Sequence, residues 1–229
     1  MNKPNYIKTV KNTNLIPEIE ENNTSVGYIS LLQSGSYALK EGEDKYNPSA
    51  KAGRFLFNDE VFKSFDCQVI DVQSAVKEWP TDSNRPIIHS TMTEAKLNAD
   101  PASDLIPCLD FLVRLVNTPL AGELGFLSFD LAKWSKKTAA IKWRAEIVNF
   151  CEENSCEMPA GIWTLSSRLD KSKGKGESFS WYTITSEYKE FSSEDFYKEA
   201  PVKLEEVKAL MAGRDNQEDI KQLAESHGI

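Results

Sequence analysis

The sequence predicts an α+β protein that is mainly β, with one long helix set between its strands. Short runs of alternating apolar and polar residues recur before residue 130, and two longer runs of this kind occupy 162–187. Between them, apolar residues at helical spacing extend over 131–153. We expect an N-terminal arm over 1–50, a β domain over 51–190 and a C-terminal segment over 191–229.

The first strands are predicted from alternation of period two. Residues 1–50 are rich in Asn, Ser, Glu and Lys, so we expect a partly flexible arm with one short strand near 26–32. The alternating segments 53–58 and 66–72 are interpreted as the two halves of one broken first strand. Turn-forming residues dominate 81–103, which predicts a long loop or a partly helical excursion.

Two further strands precede the long helix. The apolar run 106–117 and the segment 124–129 flank a turn, and both are predicted as strands. Asp130 is the expected N-cap of the helix, and Trp134 rather than Trp143 is expected in the core. The predicted apolar stripe consists of Leu131, Trp134, Thr138, Ile141, Ala145 and Val148.

The stretch 162–187 predicts a long β-hairpin with a turn of Gly and Lys. Beyond it, apolar positions at helical spacing predict amphipathic C-terminal helices. A long helix between strands 3 and 4 is the order of an OB-like five-stranded barrel. In that fold the loop between the last two strands, here 171–177, contacts oligonucleotides.

Charge is distributed unevenly along this acidic chain. The net charge is −8, yet residues 131–186 carry nine Lys/Arg against six Asp/Glu. Residues 187–229 carry six Lys/Arg against eleven Asp/Glu. Salt screens charges more than about 8–10 Å apart, so a local basic patch on an acidic protein can still bind phosphate. A plain solvated surface is the alternative interpretation of such a patch.

The basic block also contains the aromatic residues of the hairpin, a combination that favours unpaired nucleic acid. Rings stack on bases and ammonium groups attract phosphates. On the return strand, alternation places Phe179 and Trp181 on one face and Tyr182 on the other, and we expect the first two to be exposed. The candidate nucleic-acid-binding residues are Arg168, Lys171, Lys173, Lys175, Phe179, Trp181, Tyr182, Trp163, Lys133 and Lys137.

Four motifs resemble those of a divergent group of bacteriophage single-stranded-DNA-binding proteins. They are V-K-E-W (76–79), P-C-L-D-F-L-V (107–113), S-F-D-L-A-K-W-S-K-K-T-A (128–139) and the hairpin W-T-L-S-S-R-L…W-Y-T-I. The resemblance covers roughly 50–190. It implies an OB-fold protein that coats replication or recombination intermediates without strong sequence preference. Relatives often carry a cysteine-rich segment that is missing from this chain, which has one His and no Cys over 84–103.

Two other functions are open from the residues. A protein-binding adaptor would use the C-terminal amphipathic helices as docking surfaces. A metal-dependent nuclease would use strand-end carboxylates, with Asp66, Asp71, Asp110 and Asp130 as candidates. The scattered cysteines and two isolated histidines do not have the spacing of a metal site, and no Walker A motif is present, so we predict neither enzyme activity nor a cofactor.

The predicted partner is single-stranded DNA, with RNA as the alternative. Replication proteins could bind the acidic C-terminal segment, and self-association as a homodimer is also left open. The N-terminus lacks the apolar run of a signal peptide, and no stretch approaches the roughly 20 apolar residues that span a bilayer. We therefore expect no membrane contact and a cytoplasmic location, in an infected bacterial cell if the resemblance holds.

Overall fold

The architecture is that of a computed structural model, which describes residues 3–9, 26–79, 87–89, 91–173 and 178–209. Its strands are β1 (Ser30–Leu31), β2 (Phe55–Phe57), β3 (Glu60–Phe62), β4 (Phe65–Trp79), β5 (Ile87–His89), β6 (Asp104–Leu115), β7 (Leu124–Asp130), β8 (Gly161–Lys173) and β9 (Ser178–Phe191). Its helices are α1 (Met92–Asn98), α2 (Trp134–Asn154) and α3 (194–209). The α+β class predicted from the sequence is confirmed.

Strand β4 is the centre of the main antiparallel sheet, whose order is β7-β6-β4-β8-β9. β6 pairs along one edge of β4, from Cys67↔Leu115 to Trp79↔Asp104. On the other edge, β8 pairs with residues 65–68 and β5 with residues 76–78. Within the described ranges no ladder joins β7 to β9. The sheet is therefore open, and the predicted closed five-stranded barrel is not confirmed.

A smaller sheet of β1, β2 and β3 corrects the prediction of one broken first strand. β2 turns back into β3 through Asn58 and Asp59, both at positive φ (47° and 65°). Two consecutive residues of this kind form the tight turn that suits the twist of a hairpin. Residues 53–58 thus belong to a separate hairpin, and β4 alone supplies the long strand.

Parts of the predicted arm lie against the body of the protein. The backbone N–H of Ile29 donates to Phe126 O (2.8 Å), and the N–H of Phe126 donates to Gly27 O (2.9 Å). Residues 27–29 therefore cover part of the outer edge of β7. The side chains of Ile7, Ile29 and Leu32 are buried. The short strand predicted near 26–32 is confirmed as β1.

Helix α2 is confirmed, but its buried face differs from the predicted stripe. Trp143, Ile147 and Phe150 are buried, whereas Ile141 is 53% exposed. The Trp143 ring stacks on Phe111 of β6 with centroids 4.3 Å apart, and this aromatic contact fixes the rotation of the helix.

The start of α2 differs from the prediction. The Asp130 carboxylate accepts from the backbone N–H of Ala132 (2.9 Å), and Lys133 occupies the N-cap position, so the cap prediction is wrong. A short turn separates β7 from α2 and displaces the start of the helix. The side chain of Trp134 lies outside the described residues.

Helix α3 packs on the outer face of the main sheet. Ala200 and Val207 contact a cluster formed by Ile70, Leu112 and Phe126. An ion pair between the guanidinium of Arg114, on β6, and Glu199 also holds the helix there. The described part of the predicted C-terminal segment is therefore a packed helix, and the rest of that segment lies outside the described residues.

The connection between β4 and β6 contains α1, so the prediction of a partly helical excursion is confirmed. The buried Glu78 carboxylate holds this connection to β4. It contacts His89 Nε2 at 2.8 Å and accepts a hydrogen bond from the backbone N–H of Asp100 at 2.9 Å. The hydrogen bond from His89 is the largest cause that lowers the pKa of Glu78 below its ordinary value of 4.5.

Replacing Glu78 with Gln should change how stability depends on pH. A lowered pKa in the folded state means that the unfolded chain binds more protons, so this carboxylate stabilises the fold above about pH 4.5 and loses that effect as the pH falls through its folded pKa. We expect Glu78→Gln to lose about 1.5–3 kcal/mol at pH 6, the value of a charged hydrogen bond. Urea unfolding at pH 6 and at pH 3.5 checks this, and a gap that does not narrow in acid would contradict it.

Candidate nucleic-acid interface

A cleft of about 610 Å³ lies where the main sheet is open, between β7 and β9. Residues 127–130 of β7 form one wall and residues 182–184 of β9 form the other. The segment 28–33 and the N-terminal turn of α2 complete the rim. The cleft therefore occupies the position at which a direct β7–β9 ladder would close the sheet.

Four aromatic residues line this cleft: Phe129 is buried in its wall, and Tyr28, Trp79 and Tyr182 reach its surface. Tyr28 and Trp79 are each 40% exposed, so part of each ring is accessible. Tyr182 lies against Gly53, whose φ is +80° and where an added Cβ would stand 2.4 Å from the ring. Only glycine fits there, since it tolerates positive φ and leaves room for the ring.

Two of the four lysines that line the cleft are engaged with carboxylates. Lys77 is buried, with Nζ 3.3 Å from the Asp110 carboxylate and 2.6 Å from Ser128 Oγ. Its ammonium also lies 4.3 Å from the centroid of the Tyr28 ring. Lys77 is therefore part of the framework of the cleft. Lys133 is more exposed and lies 3.3 Å from Asp130.

The other two, Lys45 and Lys136, are exposed and form no ion pair with the described residues. Desolvation, and then the neighbouring Lys133 ammonium, lower the pKa of Lys136. An approaching phosphate would offset the repulsion between the two ammonium groups. Lys45, Lys133 and Lys136 are thus the cations of the cleft that an anion can reach.

Gln33 joins the rim segment 28–33 to the β9 wall of the cleft. Its Oε1 accepts from the backbone N–H of Tyr182 (2.8 Å), and its Nε2 donates to Tyr182 O (2.9 Å). One side-chain amide therefore pairs with the edge of β9 as a neighbouring strand would. This contact holds β9 close to the segment that follows β1.

Replacing Gln33 with Met should loosen this junction. Met has similar length but leaves both Tyr182 backbone groups unpaired. One fully buried unpaired group costs about 1–3 kcal/mol, and water can partly satisfy these two because Tyr182 is half-buried. We expect a loss in this range by urea unfolding and faster hydrogen exchange at the Tyr182 amide. Gln33→Glu, which keeps only the acceptor, should fall between the two proteins, and unchanged exchange in Gln33→Met would contradict the assignment.

The hairpin predicted over 162–187 is confirmed as β8 and β9, paired from Gly161↔Phe191 to Lys173↔Ser178. Phe179 is 58% exposed, as expected, and Trp181 on the same face is half-buried. Tyr182 lies on the opposite face and lines the cleft. The hairpin aromatics are therefore divided between two faces.

Trp163, a candidate nucleic-acid-binding residue, is buried in the core. Its ring is 2% exposed and packs edge-to-face against Phe150, with centroids 5.9 Å apart. A base cannot stack on a ring that the core encloses. The alternation of β8 toward the core decides this, because Trp163 and Leu165 share the buried face.

The basic candidates occupy different surroundings. The Arg168 guanidinium donates to the Asp170 carboxylate (Nε to Oδ1, 2.7 Å), which offsets its charge. Lys171 is exposed and forms no ion pair with the described residues, while the side chain of Lys173 and all of Lys175 lie outside the description. Lys137 is exposed on α2 but does not line the cleft, unlike Lys133.

Sequence reasoning missed Tyr28, Trp79, Lys45 and Lys136 as members of one site. A signal existed for two of them. Trp79 ends the V-K-E-W motif, and Lys136 follows Lys133 by about one helical turn. Tyr28 and Lys45 stand in the segment that was interpreted as an arm, so nothing local associated them with the sheet.

Among the described residues, the four aspartates considered for a nuclease do not form a group that could hold a metal ion. Asp66 bonds to Lys189 and Thr164, and Asp110 to Lys77. Asp71 accepts from its neighbour Val72 and from the Gln73 side chain. Asp130 bonds to the turn before α2. Each carboxylate thus has its own partners.

Searches of protein-family models, of curated proteins and of solved structures give no match to this chain. Among the described helices, none is long and apolar enough to cross a bilayer.

Proposed function

We propose that this protein binds single-stranded DNA in the cleft between β7 and β9, with little preference for sequence. The observation that carries the proposal is the combination of partly exposed rings at Tyr28 and Trp79 with accessible ammonium groups at Lys45, Lys133 and Lys136. Rings and cations along one groove are what unpaired strands require.

The strand order supports an OB-like interpretation of the sheet. With β4, β6, β7, β8 and β9 numbered one to five, the order is 3-2-1-4-5, and α2 lies between the third and fourth strands. That is the element order of an OB fold whose last closing ladder is missing. The connection between the first two strands begins at Trp79, and in OB folds this connection contacts oligonucleotides.

The polar groups of the cleft favour tolerance of sequence. Ser128 is already bonded to Lys77, and Asp130 to the turn before α2. Ser30 and Thr183 are the other hydroxyl side chains of the lining, and their short reach limits contact with base edges, whereas every base offers a flat face to a ring. Bases paired in a duplex do not expose that face, so single strands are the expected ligand.

The setting proposed from the family resemblance is phage-type DNA replication or recombination, in the cytoplasm of an infected bacterium, where the protein would coat exposed strands without catalysing a reaction. Fluorescence anisotropy with labelled oligo-dT, at low and moderate salt, tests the binding. We expect micromolar or tighter binding, with a log–log salt slope of about −0.7 for each phosphate contact. Oligo-U in a parallel titration separates DNA from RNA. Absence of salt-sensitive binding to either would end the proposal.

The hairpin lysines separate this function from that of an adaptor. Changing Lys171, Lys173 and Lys175 to Gln should weaken retention on single-stranded DNA resin if the loop follows the backbone. A protein-binding adaptor that docks through α3 would keep its partner, because α3 packs on the outer face of the sheet at Leu112.

Trp79→Ala should weaken DNA binding through loss of a stacking surface. A base–aromatic stack contributes about 1–3 kcal/mol, so the dissociation constant for oligo-dT should rise by about 5- to 150-fold. Tyr37→Ala is the matched control, since Tyr37 is exposed but does not line the cleft. Equal effects of the two changes would contradict a stacking role for Trp79.

A further inference from the structure

A second groove, of about 540 Å³, lies between α2 and the C-terminal half of β9. Its charged lining residues are Glu146, Glu153 and Glu187, and no Lys, Arg or His of the described chain lines it. Lys142 approaches from outside and lies 3.7 Å from Glu146, which also accepts from Ser186 Oγ (2.6 Å). Glu153 and Glu187 are exposed and form no ion pair with the described residues.

Aromatic rings line the same groove. The ring centroid of Phe150 lies 4.7 Å from that of Tyr188 and 5.5 Å from that of Phe191. Trp163 completes the cluster beneath Phe150. The negative faces of such rings attract cations, and the attraction is stronger where water is excluded.

Two buried donors in this cluster have no hydrogen-bond partner among the described residues. They are the indole N–H of Trp163 and the hydroxyl of Tyr188. Trp163 is only 2% exposed. Burial raises the pKa of Tyr188 to about 12, so the hydroxyl stays protonated near neutral pH. Buried donors without acceptors are uncommon, and a bound carbonyl group would satisfy one.

We propose that this groove binds an arginine-bearing segment of a partner protein. The guanidinium would pair with the carboxylates of Glu153 and Glu187 and stack on the rings around Tyr188. Arginine fits better than lysine because its planar fork both bonds to carboxylates and stacks on rings. The same carboxylates repel phosphate groups, and this groove shares no lining residue with the DNA cleft.

Binding of a fluorescein-labelled Arg-Gly-Arg peptide amide at about 50 mM salt tests the proposal, because screening is weak there. The matched ligand replaces each arginine by citrulline, which keeps the shape and removes the charge. Glu153→Gln with Glu187→Gln should weaken binding at least tenfold. The control pair, Glu41→Gln with Glu43→Gln, removes the same charge from exposed positions outside the groove and should change binding by less than twofold.

Three results would overturn the proposal. The citrulline peptide could bind as well as the arginine peptide, or both double variants could lose binding equally, which would indicate attraction to the acidic protein as a whole. Sedimentation could show self-association that only the groove variant abolishes, which would assign the groove to a second copy of the chain. An unchanged urea-unfolding transition in the groove variant confirms its folding and keeps this test independent of the DNA proposal.

Discussion

Replacing Lys45, Lys133 and Lys136 together by Gln should lower the affinity for oligo-dT about a hundredfold at 0.1 M salt. Each single-strand phosphate contact contributes a log–log slope of about −0.7, so three contacts contribute about two decades at that concentration. The three ammonium groups line one cleft and none is buried. Their removal should therefore make the salt slope shallower by about two and leave the fold intact.

The control for this variant is a triple change with the same loss of charge. Lys51, Lys63 and Lys96 are exposed and do not line the cleft, so changing them to Gln alters only the net charge. We expect less than a threefold effect on affinity. A salt slope that becomes shallower by the same amount in both variants would show that phosphates do not enter the cleft.

The elements that the sequence predicted correctly are those with a strong local signal. β6 and β7 are apolar runs that flank a turn, the β8–β9 hairpin alternates, and α2 has apolar residues at helical spacing. Such a signal predicts the type of element without knowledge of the surface that it packs against. These elements were also enough to give their correct order along the chain.

Contacts between distant residues decided what the sequence could not. α2 has two sets of apolar residues at helical spacing, and the choice between Ile141 and Trp143 depends on Phe111, which lies in another element. The tight turn at Asn58 and Asp59 separates β2 from β4, although both alternate. An alternating pattern does not say which sheet a strand joins.

The cleft, too, depends on contacts between residues that are far apart in the sequence. Its rim segment and its β9 wall are joined by Gln33 and Tyr182, which are 149 positions apart. Its rings come from distant segments, so no window of the sequence contains the site. The hairpin was prominent in the sequence because its aromatics are adjacent, yet only Tyr182 of them lines the cleft.

Trp143→Ala should destabilise the protein by about 3–5 kcal/mol, the usual loss when a large buried aromatic is truncated. The ring is 2% exposed and lies between α2 and the sheet, stacked on Phe111 and 6.3 Å from the centroid of Phe129. The free energy of unfolding in urea measures the effect, and the slope of the transition should stay the same because the folded state remains compact.

Ile141→Ala is the control that separates the observed helix face from the one predicted by the sequence. Ile141 lies two residues before Trp143 and is 53% exposed. If α2 packs as described, this change should cost less than about 0.5 kcal/mol, as expected for a surface position. If the predicted stripe faced the core instead, Ile141→Ala would lose about 2–5 kcal/mol and Trp143→Ala would be nearly silent. The ratio of the two losses therefore reports the rotation of α2 about its axis, and with it the position of Lys133 and Lys136 on the rim of the cleft.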